Sequence, residues 1–139
     1  GALVVSLLLG DKALIARARR LRKMIGGGMR QAGIVAAAGR HALDHHVERL
    51  KDDHAHAREL ARKLSSASRG ALKIETPQTN MVWVDVPSAD ADAFAAFLRQ
   101  LGILVHGTLR QRWVTHLDID SAGVDAAAAA VEQYYNRKP

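Results

Sequence analysis

Three consecutive glycines, Gly26, Gly27 and Gly28, stand in the stretch "RKMIGGGMRQAG", and no helix runs unbroken through them. Glycine carries the largest backbone entropy of any residue, and three in a row stop a helix. On either side the pattern is helical, so the chain must open its backbone here, with Lys23 before the glycines and Arg30 after them. Glycines let backbone N–H groups approach an anion, and the next helix turns its positive end toward the same place. The stretch is therefore either a helix stop with a tight turn or a weak phosphate site. It is not a Walker motif, because no Gly-Lys-Ser/Thr follows.

The flanking pattern sets the elements. Residues 4–9 form a continuous apolar, β-prone run that predicts a strand buried on both faces. Asp11 is placed to cap a helix over residues 12–25, whose apolar stripe is Leu14, Ala18, Leu21 and Ile25. A second, long helix is expected from about residue 29 to 64, apolar all round at first and one-sided later. Residues 65–70, "SSASRG", read as a hinge. Beyond it, strands are expected over 72–75, 81–86, 103–106 and 112–119. Helices are expected from a cap at Ser88 to a close at Gly102, and from a cap at Ser121 onward. The expected class is α/β to α+β, with domains over 1–66 (strand, basic helix, glycine turn, long helix) and 70–139 (a small α+β unit).

With 139 residues, of which 48% are hydrophobic, the chain can bury a core of about one domain. Cysteine is absent, which excludes disulfides and thiolate chemistry and fits a reducing, cytoplasmic setting. The apolar N-terminal run has no basic segment before it and is too short to span a bilayer, so no membrane role is expected. Charge is uneven: residues 1–70 carry 14 Lys/Arg against 6 Asp/Glu, whereas residues 71–139 carry 6 against 8. Anionic partners are to be sought on the first half.

The histidines give a weaker signal. His41 and His45 are four apart, a spacing that can ligate zinc, but Ala42 stands where a catalytic HExxH motif has Glu. With His46, His54 and His56 among Asp44, Glu48, Asp52 and Asp53, a solvated polar face is the simpler reading, and no metal site is assigned. His106 and His116 are expected as structural histidines at strand ends. Arg110 and Arg112 flank the start of a strand; an arginine there can clamp a carboxylate if the strand end faces a cleft.

Several stretches together are more specific. "RARRLRKMIGGGMRQAGIVAAAGRHAL", "HHVERLKDDHAHAREL", "PQTNMVWVDV" and "RWVTHLDID" closely resemble the low-specificity L-threonine aldolases, in the same order and at similar spacing. That family comprises fold-type I, pyridoxal-phosphate-dependent lyases that cleave L-threonine or L-allo-threonine to glycine and acetaldehyde. The resemblance implies the C-terminal part of such an enzyme: the end of the large domain and the small C-terminal domain. It implies that Lys23 and Arg30, around Gly26, Gly27 and Gly28, reach the cofactor phosphate of a neighbouring protomer, and that Arg112 binds the substrate carboxylate.

The same resemblance places the Schiff-base lysine just upstream of Gly1, and it implies that the aromatic or histidine stacking on the cofactor ring and the aspartate at its pyridine nitrogen are not among these residues either. Leu3 and Val5 stand where the family usually has Pro and Gly. These 139 residues alone are therefore expected to lack aldolase activity and to self-associate or join an upstream partner chain. The alternatives are a non-catalytic oligomerisation or scaffold remnant of that fold and a basic nucleic-acid-binding helical module. The last is prompted by a pI near 10.2 but lacks interleaved exposed aromatics.

Overall fold

The carboxylate of Asp11 accepts the Leu14 N–H at 2.7 Å and opens the first helix, α1 (Lys12–Met24). The computed structural model describes residues 6–137. Beyond α1, the chain forms α2 (Gly33–His45), α3 (Leu50–Ala67), β1 (Lys73–Ile74), β2 (Met81–Asp85), α4 (Ala91–Gln100), β3 (Arg110–Val114) and α5 (Ser121–Asn136). Its contacts divide into two units, Gly1–Glu48 and Arg49–Pro139.

In the first unit the expected strand does not form where it can be seen. Its first two residues, Val4 and Val5, lie outside the described residues, and Ser6 to Gly10 follow no regular pattern. A strand needs a neighbour to take up its N–H and C=O groups, and the described residues of this unit supply none. Apolar side chains stay exposed through the unit: Leu9 is 81% exposed, Ile25 84% and Ile34 82%. Gly39 is the one residue of α2 that is buried.

The expected long second helix is in fact two. The His46 N–H still bonds the Ala42 carbonyl at 2.9 Å, and α3 starts only at Leu50. The four residues between keep turn geometry, and no glycine or proline marks the break. On the far side, Arg49 folds back on Asp53 through two hydrogen bonds of 3.0 and 2.7 Å, a forked pair that fixes the entry into α3. The segment read as a hinge is the end of that helix: Ser65, Ser66 and Ala67 are helical, and the chain leaves through left-handed Arg69 and Gly70.

The second unit is α+β. Its antiparallel sheet has the order β1-β2-β3, with Val82 opposite Trp113 and Trp83 opposite Arg112. Alternation puts Val82, Val84, Gln111 and Trp113 on the buried face, where Leu60 and Leu64 of α3, Phe94 and Leu98 of α4, and Val124 and Val131 of α5 complete one core. The rings of Phe94, Tyr134 and Tyr135 meet within 5.1–6.0 Å. Burial pushes the Tyr135 phenol well above its ordinary range.

Three other expectations are corrected. The residue before α4 is Asp90, with no side-chain cap bond, and not Ser88. The cap of α5 is Asp120, whose side chain accepts the Gly123 N–H at 2.8 Å, and not Ser121. Residues 103–106 form no strand, because the Ile103 N–H is used in closing α4, bonding the Leu98 carbonyl at 3.0 Å across left-handed Gly102.

Candidate anion-binding sites

Each glycine of the first unit's turn has its own reason to be there. Gly26 has φ of +85°, which a side chain would strain. Its N–H bonds the Lys23 carbonyl at 3.1 Å while that of Gly27 bonds Arg22 at 2.7 Å, the paired closure of a Schellman motif. A Cβ on Gly27 would come within 2.7 Å of Arg22 Cγ and 3.0 Å of its carbonyl oxygen. At Gly28 a Cβ would stand 3.2 Å from Lys23 Nζ, so the missing side chain leaves the space over which the ammonium lies. Replacing Gly26 by Ala should loosen the end of α1 by about 1–2 kcal/mol, the penalty of left-handed backbone. Amide exchange at residues 26 and 27, about tenfold faster or more, would report it.

The cations of this turn are available. Lys23 ends the last turn of α1, and Arg30 lies in the bend before α2. Both are exposed, and neither makes a hydrogen bond or ion pair among the described residues. The N-terminus of α2 has no side-chain cap and no acid in its first turn, so its leading N–H groups are also open. Two cations and unsatisfied amides make a donor set suited to a phosphate.

In the second unit, β3 carries both arginines on the same exposed face. Arg110 is consumed: it donates to Glu75 Oε1 at 2.7 Å and to Asp85 Oδ1 at 3.5 Å, and lies 5.0 Å over the Trp83 ring. Glu75 beside it raises the Arg110 pKa further above its ordinary value. Arg112, directly opposite Trp83, is exposed and makes no hydrogen bond or ion pair among the described residues. It borders a groove of about 710 Å³ lined by Leu60, Ile103, Val105, Trp113 and Ala127, with His116 also at its wall.

Behind Arg112 the strand is anchored by buried groups that sequence reading passed over. Thr115 is fully buried; its Oγ1 donates to the Asp53 carbonyl at 2.7 Å, and its own carbonyl accepts from Asn80 Nδ2 at 2.7 Å. Asp53, 3% exposed, is the partner of Arg49. Trp113 Nε1 donates to buried Gln111 at 3.0 Å. The Arg49–Asp53 spacing of four, inside the run "ERLKDD", was the available signal.

Among the described residues no group of three or more His, Asp or Glu side chains could hold a metal ion. His106 is in a loop, and His116, just past β3, accepts the Asp118 N–H at 3.3 Å in a local turn. His56 Nε2 lies 3.4 Å from Ser121 Oγ. No helix among the described residues is long and apolar enough to cross a membrane.

The exposed cations beside the glycine turn of the first unit and the exposed strand arginine of the second are each suited to hold an anion. The chain belongs to the beta-eliminating lyase family, whose model matches residues 1–87. That family and the threonine aldolases within it depend on pyridoxal phosphate. Over 129 residues, 93% of its length, the chain is 40% identical to the low specificity L-threonine aldolase of Escherichia coli. It is 37% identical over 141 residues to a probable low-specificity L-threonine aldolase 2 of Arabidopsis thaliana, covering 98% of this chain. It is also 33% identical over 136 residues to an alanine racemase of Cochliobolus carbonum, covering 91%. The chain spans only 38%, 40% and 34% of these relatives' respective lengths.

Proposed function

We propose that this chain is the C-terminal portion of a low-specificity L-threonine aldolase and supplies its phosphate- and carboxylate-binding groups. The observation that carries the reading is the contrast on β3, where Arg110 is neutralised by two carboxylates and Arg112 is left free beside a groove. An unpaired guanidinium offers a carboxylate two parallel hydrogen bonds, which fixes how an amino-acid substrate lies. Lys23 and Arg30 hold the cofactor phosphate, with the Gly28 position left open for the lysine and the uncapped start of α2 adding N–H donors. When bound, pyridoxal phosphate supplies the electron sink for breaking a bond at the substrate Cα. The chain's own groups bind and orient. By the resemblance, the phosphate they hold belongs to a neighbouring protomer, so the functional unit is an oligomer, at home in the cytoplasm.

Because one relative is named an alanine racemase and others threonine aldolases, the reaction itself decides between the two. In the holoprotein containing this chain, L-threonine should release acetaldehyde and L-alanine should keep its configuration. Bound cofactor without acetaldehyde formation would overturn the aldolase reading. A polypeptide of residues 1–139 alone should show no threonine turnover, because by the resemblance the lysine that holds the cofactor covalently is not among them. Borohydride reduction with pyridoxal phosphate, followed by intact mass, should then show no adduct at a single lysine.

A further inference from the structure

The function proposed above makes no use of the histidines of α2. His41 and His45 sit one helical turn apart with ring centroids separated by 4.5 Å and planes inclined by 46°. A third imidazole, His46 at the helix end, stands edge-on to His41 at 5.2 Å. Residues four apart on a helix share a face, and here both rings already lean together over it. His41 and His45 are exposed and make no hydrogen bond or ion pair among the described residues, so their ring nitrogens are free to ligate. The surroundings suit a cation. Arg40, next to His41 in the chain, is paired with Asp44 at 3.5 Å. His45 lies in the last turn of α2, where the outward carbonyls carry the negative end of the helix dipole.

We propose that His41 and His45 form a two-imidazole site for a divalent transition-metal cation, with water completing its shell. Imidazole suits copper, nickel and zinc, and for a fixed pair of nitrogens the affinity order places Cu²⁺ above Ni²⁺ and Zn²⁺. A metal held there ties two successive turns of α2 together, beside the break at residues 46–49. The site does not depend on the aldolase reading and does no chemistry in it.

The test is titration of CuCl₂ into untagged, chelator-stripped full-chain protein, followed by paramagnetic resonance for nitrogen coupling to the copper. One Cu²⁺ per chain with two coupled imidazoles is expected, and Ni²⁺ should bind more weakly. H41A and H45A should each weaken binding by about tenfold or more, since each removes half of the chelate. H54A, on α3, should bind as the parent does, and far-UV circular dichroism should show all three variants equally helical. Absence of saturable binding below about 1 mM, an affinity too low for a chelate, would overturn the proposal. So would H41A and H45A proteins that bind copper like the parent.

Discussion

Replacing Phe94 by Ala is expected to destabilise the Arg49–Pro139 unit by about 3–5 kcal/mol, the range for emptying a buried aromatic site. The ring is fully buried and touches Tyr134 at 5.2 Å and Tyr135 at 6.0 Å, so its loss strips one side from each tyrosine as well. Domains of this size are stable by only about 5–15 kcal/mol, so the variant should lose a large share of the total. Urea unfolding followed by tryptophan fluorescence would read the change, because Trp113 belongs to the same core. A midpoint shift equivalent to less than about 1 kcal/mol would mean that the core is not the close-packed cluster described.

The largest functional effect is expected at Arg112. In the holoprotein containing this chain, Arg112→Lys should lower kcat/KM for L-threonine by about 10²-fold or more. Lysine replaces a two-pronged donor by a single point charge, and a hydrogen bond between charged groups contributes about 1.5–3 kcal/mol. Much of the loss should appear in KM, because the substrate carboxylate is bound in ground and transition states alike. The informative companion is Arg110→Lys, two residues away on the same face. Its guanidinium is about half exposed and already held by Glu75 and Asp85, so its replacement should leave kcat/KM nearly unchanged. Equal effects at both positions would remove the distinction on which the carboxylate assignment stands.

Much of this architecture is legible in local chemistry. The Asp11 cap, the helix closures at Gly26 and Gly102 and the alternation along Met81 to Asp85 all depend on residues within one or two turns of each other. What escapes reading depends on partners distant in the chain. Arg110 and Arg112 look alike in sequence; the difference lies in Glu75 and Asp85, 35 and 25 positions before Arg110. Thr115 looks like an ordinary strand residue until the backbone carbonyl of Asp53, 62 positions away, accepts a hydrogen bond from its hydroxyl. The break before α3 is hidden for another reason: "HVER" contains no helix breaker, and an arginine–aspartate fork at its far end organises the turn. For the triple glycine the structure bears out the helix stop. Gly26 and Gly27 close α1, while Gly28 leaves space under the Lys23 ammonium.

The pairing of α3 with α5 bears on how the second unit is made. These are the first and last helices of that unit, and Lys63 of α3 is joined to Asp125 of α5 across 62 positions. On the ribosome, the apolar face of α3, with Leu60 and Leu64, emerges long before Val124 and Val131 exist to cover it. Until the final helix is released, that face and the sheet behind it are open to water and to chaperones. Folding should therefore be late and all-or-none, with a rate set by closing one long loop. A nascent chain arrested before residue 121 should remain protease-sensitive throughout the unit.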